Sequence, residues 1–358
     1  MKVGLVGLPS AGKSTLFQLL TGAAPPAGGR PEARVGMARV PDPRVDALAR
    51  MYNPKKTTPA TVEFVDVPGT AKGEGAALVD LPALRNVDAL VHVVRAFENE
   101  MVPHPDGSVD ALRDAQVLNL ELILADLGMV ERRLEKLDQN IKKLRRPEDV
   151  AERDLFARLK DNLEKEQPVR EMALSEDDRR KLRNYALLSE KPMLLAVNLD
   201  EKTIGGAAAF LEKSGLVAWA AAGSGRGVVA VAAPIEAEMA QLSPEDAEAF
   251  RADLGLTEPG LDRLARASYA LLGLVSFLTA GEDECRAWTI RANTKAPQAA
   301  GAIHSDIERG FIRAEVVSYE DLMAAGSIAA CRDKGTLRQE GKEYLVRDGD
   351  VINFRFNV

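Results

Sequence analysis

Cysteine and histidine are nearly missing from this sequence, with two of the first and three of the second in 358 residues. Cys285 and Cys331 cannot build a disulfide framework. With His92, His104 and His304 scattered along the chain, no Cys/His run has the spacing of a structural zinc site. So few thiols suit a reducing compartment. Long apolar runs are also missing: residues 269–280 come nearest and fall short of the roughly 20 residues a membrane-crossing helix needs. The opening MKVGLVGLPSAGK has the basic-then-apolar order of a secretory signal, but Gly4, Gly7 and Pro9 break it. These absences predict a soluble, cytoplasmic protein with no membrane partner. Nor is there an excess of positive charge: 47 Lys and Arg stand against 54 Asp and Glu, a net charge of −7. That argues against wholesale coating of nucleic acid and leaves room for a local basic patch. What is present is a globular composition, 46% hydrophobic and 28% charged, in a chain long enough for roughly two or three domains.

Residues 2–6 read as a buried strand and residues 15–21 as the start of a helix. Further strand-like runs lie at 60–66, 89–94, 192–198, 216–220 and 228–232. Several are almost wholly apolar, as parallel strands covered on both faces should be, and helical stretches separate them. The expected fold class is α/β with a mostly parallel sheet. A different pattern interrupts it. Leu120, Ile123, Leu127, Val130, Leu134, Leu137, Ile141 and Leu144 follow one another at alternating intervals of three and four, a heptad seam. Pro147 marks a turn, and Leu155, Leu159 and Leu163 lie on a returning arm. Between residues 128 and 189, 30 of 62 residues are charged. This predicts an antiparallel coiled-coil hairpin inserted into the α/β domain, with Ser175 as the N-cap of a further helix. From about residue 279 the chain changes again, to a small α+β or half-barrel domain with a turn at Asp348-Gly349-Asp350. The expected divisions are 1–127 and 190–278 for the α/β domain, 128–189 for the hairpin and 279–358 for the C-terminal domain.

Gly7-Leu8-Pro9-Ser10-Ala11-Gly12-Lys13-Ser14 satisfies G-x-x-x-x-G-K-[ST], and it follows a strand and opens a helix. Two glycines let the backbone curl so that successive N–H groups face the phosphates of a nucleotide, helped by the positive end of the helix. Gly7, Pro9, Ser10, Ala11, Gly12, Lys13, Ser14 and Thr15 are therefore the expected phosphate cradle. Lys13 should reach the β- and γ-phosphates, and the Ser14 hydroxyl should serve Mg²⁺. Asp66-Val67-Pro68-Gly69 ends an apolar strand, placing a carboxylate for the metal and the Gly69 N–H for a γ-phosphate. Ser14 and Asp66 are thus the candidate metal ligands, and Lys13 and Gly69 the candidate catalytic residues. Asn198-Leu199-Asp200-Glu201 ends another strand where GTPases read guanine with N-K-x-D. Ala232 and Ala233 end the next, where a backbone N–H meets the base. Asn198, Leu199, Glu201, Ala232 and Ala233 complete the expected nucleotide site.

These motifs resemble those of the YchF/Obg-like ATPases, a branch of the translation-factor-related P-loop GTPases. GLPSAGKSTLF, VPDPRVDAL, VEFVDVPG, HVVRAFEN, NLELILADL and AVNLDE carry the likeness through the G domain. RAWTIRANTKAPQAAGAIHSDIERGFIRAEVVSYEDL and EGKEYLVRDGDVINFRFNV carry it through the C-terminal region. The resemblance implies a G domain, an inserted coiled-coil hairpin and a C-terminal ubiquitin-like TGS domain. It also implies ribosome association and a preference for ATP over GTP. Glu201 in place of the guanine-reading aspartate, and Leu199 in place of the lysine, relax guanine selection. Four positions depart from the family pattern: Ser10 stands where Asn is usual, Arg30 aligns with a switch Thr, Thr70 follows D-x-x-G, and the second switch at 72–84 is short. The implied function is a ribosome-associated switch that binds ATP or GTP with Mg²⁺ and hydrolyses it slowly. The alternative is a nucleotide-stabilised ribosome- or RNA-binding adaptor with little turnover. Seven basic residues against two acidic ones between 132 and 146 offer ribosomal RNA a local patch, although such a face is often merely solvated. No DNA-specific motif is present. His92 and His304 read as packing or capping residues.

Overall fold

The structure, a computed structural model, describes residues 1–23, 33–67, 81–144 and 146–357. Its contacts divide the chain into two units, residues 1–37 with 63–271 and residues 38–62 with 272–358.

Twelve strands are described: β1 (Lys2–Val6), β2 (Arg34–Val40), β3 (Lys56–Thr58), β4 (Ala60–Asp66), β5 (Ala89–Ala96) and β6 (Met193–Leu199), then β7 (Arg226–Val231), β8 (Leu274–Thr279), β9 (Glu284–Arg291), β10 (Phe311–Ser318), β11 (Arg338–Glu340) and β12 (Asp350–Phe356). The first sheet runs β2-β4-β1-β5-β6-β7. The ladders β1–β4, β1–β5, β5–β6 and β6–β7 are all parallel. This is the α/β architecture that the apolar runs predict. β5 and β6 are buried along their whole lengths, which explains why they read as continuous hydrophobic runs. The order changes direction around β1, whose neighbours are β4 and β5. The crevice at the carboxyl ends of such strands is where doubly wound sheets hold ligands.

One strand expectation fails. Residues 216–220 form part of a helix, Leu216–Ala221. Its buried residues are Leu216 and Ala220, four apart, so burial follows the helical period despite the apolar composition.

The heptad seam lies on one helix, Ala111–Leu144, about 50 Å long at 1.5 Å per residue. Its first turns pack on the sheet, where Ala115, Leu118 and Leu122 join Val6, Leu90, Val94 and Leu195. Further on, Ile123 and Val130 join Leu155, Phe156, Leu159 and Leu163 of the returning helix Pro147–Leu163 in a separate core. The pairs Arg133–Glu152 at 2.8 Å and Lys160–Glu131 at 3.0 Å make the two helices antiparallel. Of the seam, Ile123, Val130 and Leu137 are fully buried, seven apart, while Leu144 at the tip is 65% exposed. Ser175 caps Glu176–Leu182 with a full capping box to Asp178, as expected.

The second unit is built on the sheet β11-β10-β12-β8-β9-β3, with Ala296–Gly301 and Ser305–Arg309 as short helices. Residues 38–62 and 272–278, expected in the α/β domain, belong here because β3 pairs with β9 at Lys56↔Glu284 and β8 pairs with β9 at Leu274↔Arg291. His304 caps Ser305–Arg309, its ring Nδ1 accepting from the Asp306 N–H at 3.2 Å. Among the described residues, no helix is long and apolar enough to cross a membrane.

Candidate nucleotide site

The loop between β1 and the helix Lys13–Thr21 can curl only with glycine at two points. Gly7 has φ +148° and Gly12 has φ +97°. A Cβ at Gly7 would collide with the Val93 carbonyl oxygen, and one at Gly12 with the Asn198 side-chain amide. Ser10 also has positive φ, 62°, a conformation that Asn adopts more readily than Ser. Lys13 is buried, its ammonium donating to the Gly7 carbonyl at 2.8 Å and the Leu8 carbonyl at 3.0 Å. Burial lowers its pKa to about 8, with the nearby Asp66 carboxylate opposing the shift.

Ser14 and Asp66 come together from 52 residues apart: the hydroxyl donates to the carboxylate at 3.1 Å. Two hard oxygen donors converging beside a phosphate-type loop suit Mg²⁺, which takes a few protein oxygens and completes its shell with phosphate and water. The residues therefore fit the metal. Arg34, at the start of β2, also meets this carboxylate, at 2.5 Å, and lies over the Phe17 ring at 4.9 Å. Nothing in the sequence spacing marks Arg34.

Asn198 is 1% exposed at the end of β6. Its amide donates to the Ala11 carbonyl at 3.0 Å and accepts from the Ala233 N–H at 2.9 Å. It braces the phosphate loop to the turn after β7, and it holds the Ala233 N–H that was expected to meet a base. Leu199 faces the other side of the sheet, where it has no exposed surface and joins the core under the helix Ala111–Leu144. Its side chain therefore does not line the site. Glu201 is exposed at the start of the turn Glu201–Ile204, which Asp200 caps by accepting from the Thr203 N–H at 2.9 Å. Ala232 and Ala233 are both buried. Pro9, Ser14 and Thr15 keep exposed or part-exposed surface. Gly69, Thr70 and Arg30 lie outside the described residues.

Two buried groups nearby escape sequence reasoning. Arg95, paired in register with Asn198, is 2% exposed and stacks on Phe97 at 4.8 Å. His104 meets Asp114 at 2.8 Å, and a second carboxylate, Asp106, completes a trio whose potential ligand atoms lie within 4.8 Å of one another. Arg113 holds Asp114 from the other side at 2.9 Å, so this cluster is a closed polar knot.

A family profile described as a 50S ribosome-binding GTPase matches residues 2–147. The profile of the YchF-GTPase C-terminal domain, described as a protein of unknown function, matches residues 274–357. The chain is 44% identical to the ribosome-binding ATPase YchF of Bacillus subtilis (strain 168), with all of both chains covered. The chain belongs to the YchF family. To the Obg-like ATPase 1 of Oryza sativa subsp. japonica it is 38% identical, covering all of this chain and 92% of that one. The solved Schizosaccharomyces pombe YchF GTPase superposes with a TM-score of 0.85 at 31% identity, over 99% of this chain and 97% of that one. YchF membership fits the P-loop, the Ser14–Asp66 pair, the long helical arm and the second sheet.

Proposed function

We propose that this protein is a nucleotide-dependent switch of the ribosome. It binds ATP, with GTP as a weaker guest, together with Mg²⁺, and slowly hydrolyses the β–γ phosphoanhydride. The observation that carries this reading is the convergence of the buried Lys13 ammonium with the Ser14–Asp66 pair. In it, Gly7 and Pro9 to Thr15 cradle the phosphates, and the Lys13 charge offsets charge building on the β–γ bridge. Mg²⁺, held through Ser14 and Asp66, supplies further neutralisation of phosphate charge when bound. Asn198 holds the loop to Ala233, and Glu201 is assigned to the base edge on sequence grounds. Gly69 is assigned to the γ-phosphate on sequence grounds. Single-turnover release of γ-phosphate from ATP, compared between the native chain and Lys13→Ala, tests the reading. The native rate should exceed that of the variant by at least about a hundredfold, and equal rates would remove the enzyme reading. Calorimetric titration should show tighter binding of ATP than of GTP.

The partner reading rests on the relatives named as ribosome-binding and on the arm at 128–189. Arg132, Lys136, Lys142, Lys143 and Arg146 are exposed there, whereas Arg133 is tied to Glu152 through two bonds at 2.9 and 2.8 Å. These exposed cations suit the phosphates of ribosomal RNA, and a cytoplasmic location follows from such a partner.

A further inference from the structure

Asp66 is 6% exposed, and a carboxylate so buried needs a positive neighbour. Lys13, the nearest lysine of the loop, points its ammonium at the Gly7 and Leu8 carbonyls. Ser14 gives the Oδ2 atom of Asp66 one hydroxyl hydrogen bond, at 3.1 Å. The full positive charge on that same oxygen is the Arg34 guanidinium, at 2.5 Å. The Phe17 ring beneath it, 4.9 Å from the guanidinium carbon, holds the plane in place. The arrangement sets one oxygen against two claimants, because Oδ2 is also the atom that, with the Ser14 hydroxyl, would serve a divalent cation.

We propose that Arg34 is a built-in competitor of Mg²⁺ at Asp66, so that loading of the metal displaces the guanidinium and the strength of that contact sets the Mg²⁺ requirement for nucleotide binding. The inference rests on the Mg²⁺–nucleotide reading of this site and adds a residue that tunes it. A hard dication and a guanidinium cannot share one carboxylate oxygen at contact distance without strong repulsion. The two states are therefore exclusive, and the coupling between metal and Arg34 must appear in both directions. With its side chain 22% exposed, Arg34 has a route into water when it is displaced. Without metal, the guanidinium lowers the repulsion between Asp66 and incoming phosphate. With metal, it is a rival. Both effects reduce the advantage that Mg²⁺ gives.

The test uses the full chain and ATP. The dissociation constant is measured with excess EDTA and again with saturating Mg²⁺, and the ratio of the two is compared among variants. Arg34→Gln keeps a polar stem over Phe17 and removes the charge. Arg34→Ala removes both, and Arg34→Lys keeps a charge. The ratio should rise about tenfold in Arg34→Gln and Arg34→Ala, and stay within about threefold of wild type in Arg34→Lys. Circular dichroism establishes which variants are folded, and Arg34→Gln alone suffices if Arg34→Ala is not. A ratio in Arg34→Gln within about twofold of wild type overturns the proposal while leaving the nucleotide reading intact. A wild-type ratio near one that rises in Arg34→Gln supports it in its strongest form, with the guanidinium replacing the metal. A wild-type chain that binds no ATP under either condition removes both readings together.

Discussion

His92 sits on β5 between Val6 of β1 and Leu195 of β6, with no exposed surface and, among the described residues, no hydrogen-bond partner for either ring nitrogen. Burial, reinforced by the charge of Lys13, lowers its pKa from 6.5 to about 3. Between those values the unfolded chain takes a proton and the folded chain does not, so stability falls as pH drops below 6.5. At pH 5 this loss is ~2 kcal/mol relative to pH 7. His92→Leu removes the titrating group and the two unpaired nitrogens. Urea unfolding at pH 7 and pH 5 should show the native chain losing ~2 kcal/mol more than His92→Leu across that interval. Equal losses would mean that the imidazole is not kept neutral. The sequence already marks His92 as a core residue, because it stands in an apolar run. It marks Gly7, Gly12 and Lys13 equally well, since the loop tolerates few other residues there. Arg34 could not be read, because its partner Asp66 lies 32 residues along the chain, and the His104–Asp114 contact, ten residues apart, follows no motif spacing. Leu199 was misplaced by strand parity: Asn198 faces the phosphate loop, so its neighbour must face the opposite core.

The helix Ala111–Leu144 serves two cores in succession, and Asp126 marks the passage between them. Fully buried, its carboxylate accepts from the Leu188 N–H at 3.0 Å, the Ser189 N–H at 2.7 Å and the Ser189 hydroxyl at 2.8 Å. Desolvation raises its pKa, opposed by these three donors and by Arg85. The carboxylate thereby pins the chain leaving the arm just before β6 begins at Met193. Asp126→Ala would strand two backbone N–H groups and a hydroxyl without an acceptor, at a cost of roughly 2–4 kcal/mol in denaturant unfolding. Ser189→Ala, which loses the hydroxyl bond to Asp126 and the acceptor of a long bond from the Val169 N–H at 3.3 Å, should cost less, about 1–2 kcal/mol. If the two variants were equally stable, the pin would be incidental. At this scale the heptad intervals reveal the arm and its antiparallel return. They do not reveal the pin, because a single Asp in a charge-rich segment looks like solvated surface until its face is known. The mistaken strand at 216–220 has a related cause. Five apolar residues fit either period, and only the burial of Leu216 and Ala220 selects the helix.

For the whole molecule, net charge is a poor guide to partners. The average of −7 covers an arm whose outer turns carry exposed Arg132, Lys136, Lys142 and Lys143. Converting these four to Gln removes charge from the surface and leaves both buried cores untouched, so thermal stability should stay as in the native chain. If the arm meets RNA phosphates, ribosome co-sedimentation of the variant should weaken at least about tenfold at low salt. The dependence on salt should also flatten, since each lost phosphate contact takes roughly 0.7 to 0.9 from the log–log slope, the values for single strands and duplex DNA. Unchanged co-sedimentation would assign ribosome contact elsewhere. The same assay separates a switch from an adaptor. A switch must bind the ribosome with different affinities in its nucleotide states, because a ligand shifts only equilibria whose two ends it binds unequally. Native chain with Mg²⁺–ATP and native chain without nucleotide should therefore differ in co-sedimentation, and the four-Gln variant should keep that difference at lower overall affinity. The arm would then supply attraction, and the Ser14–Asp66 site the coupling. Identical native binding in both nucleotide states would leave ribosome contact in place and make the protein an adaptor whose nucleotide only stabilises the G domain.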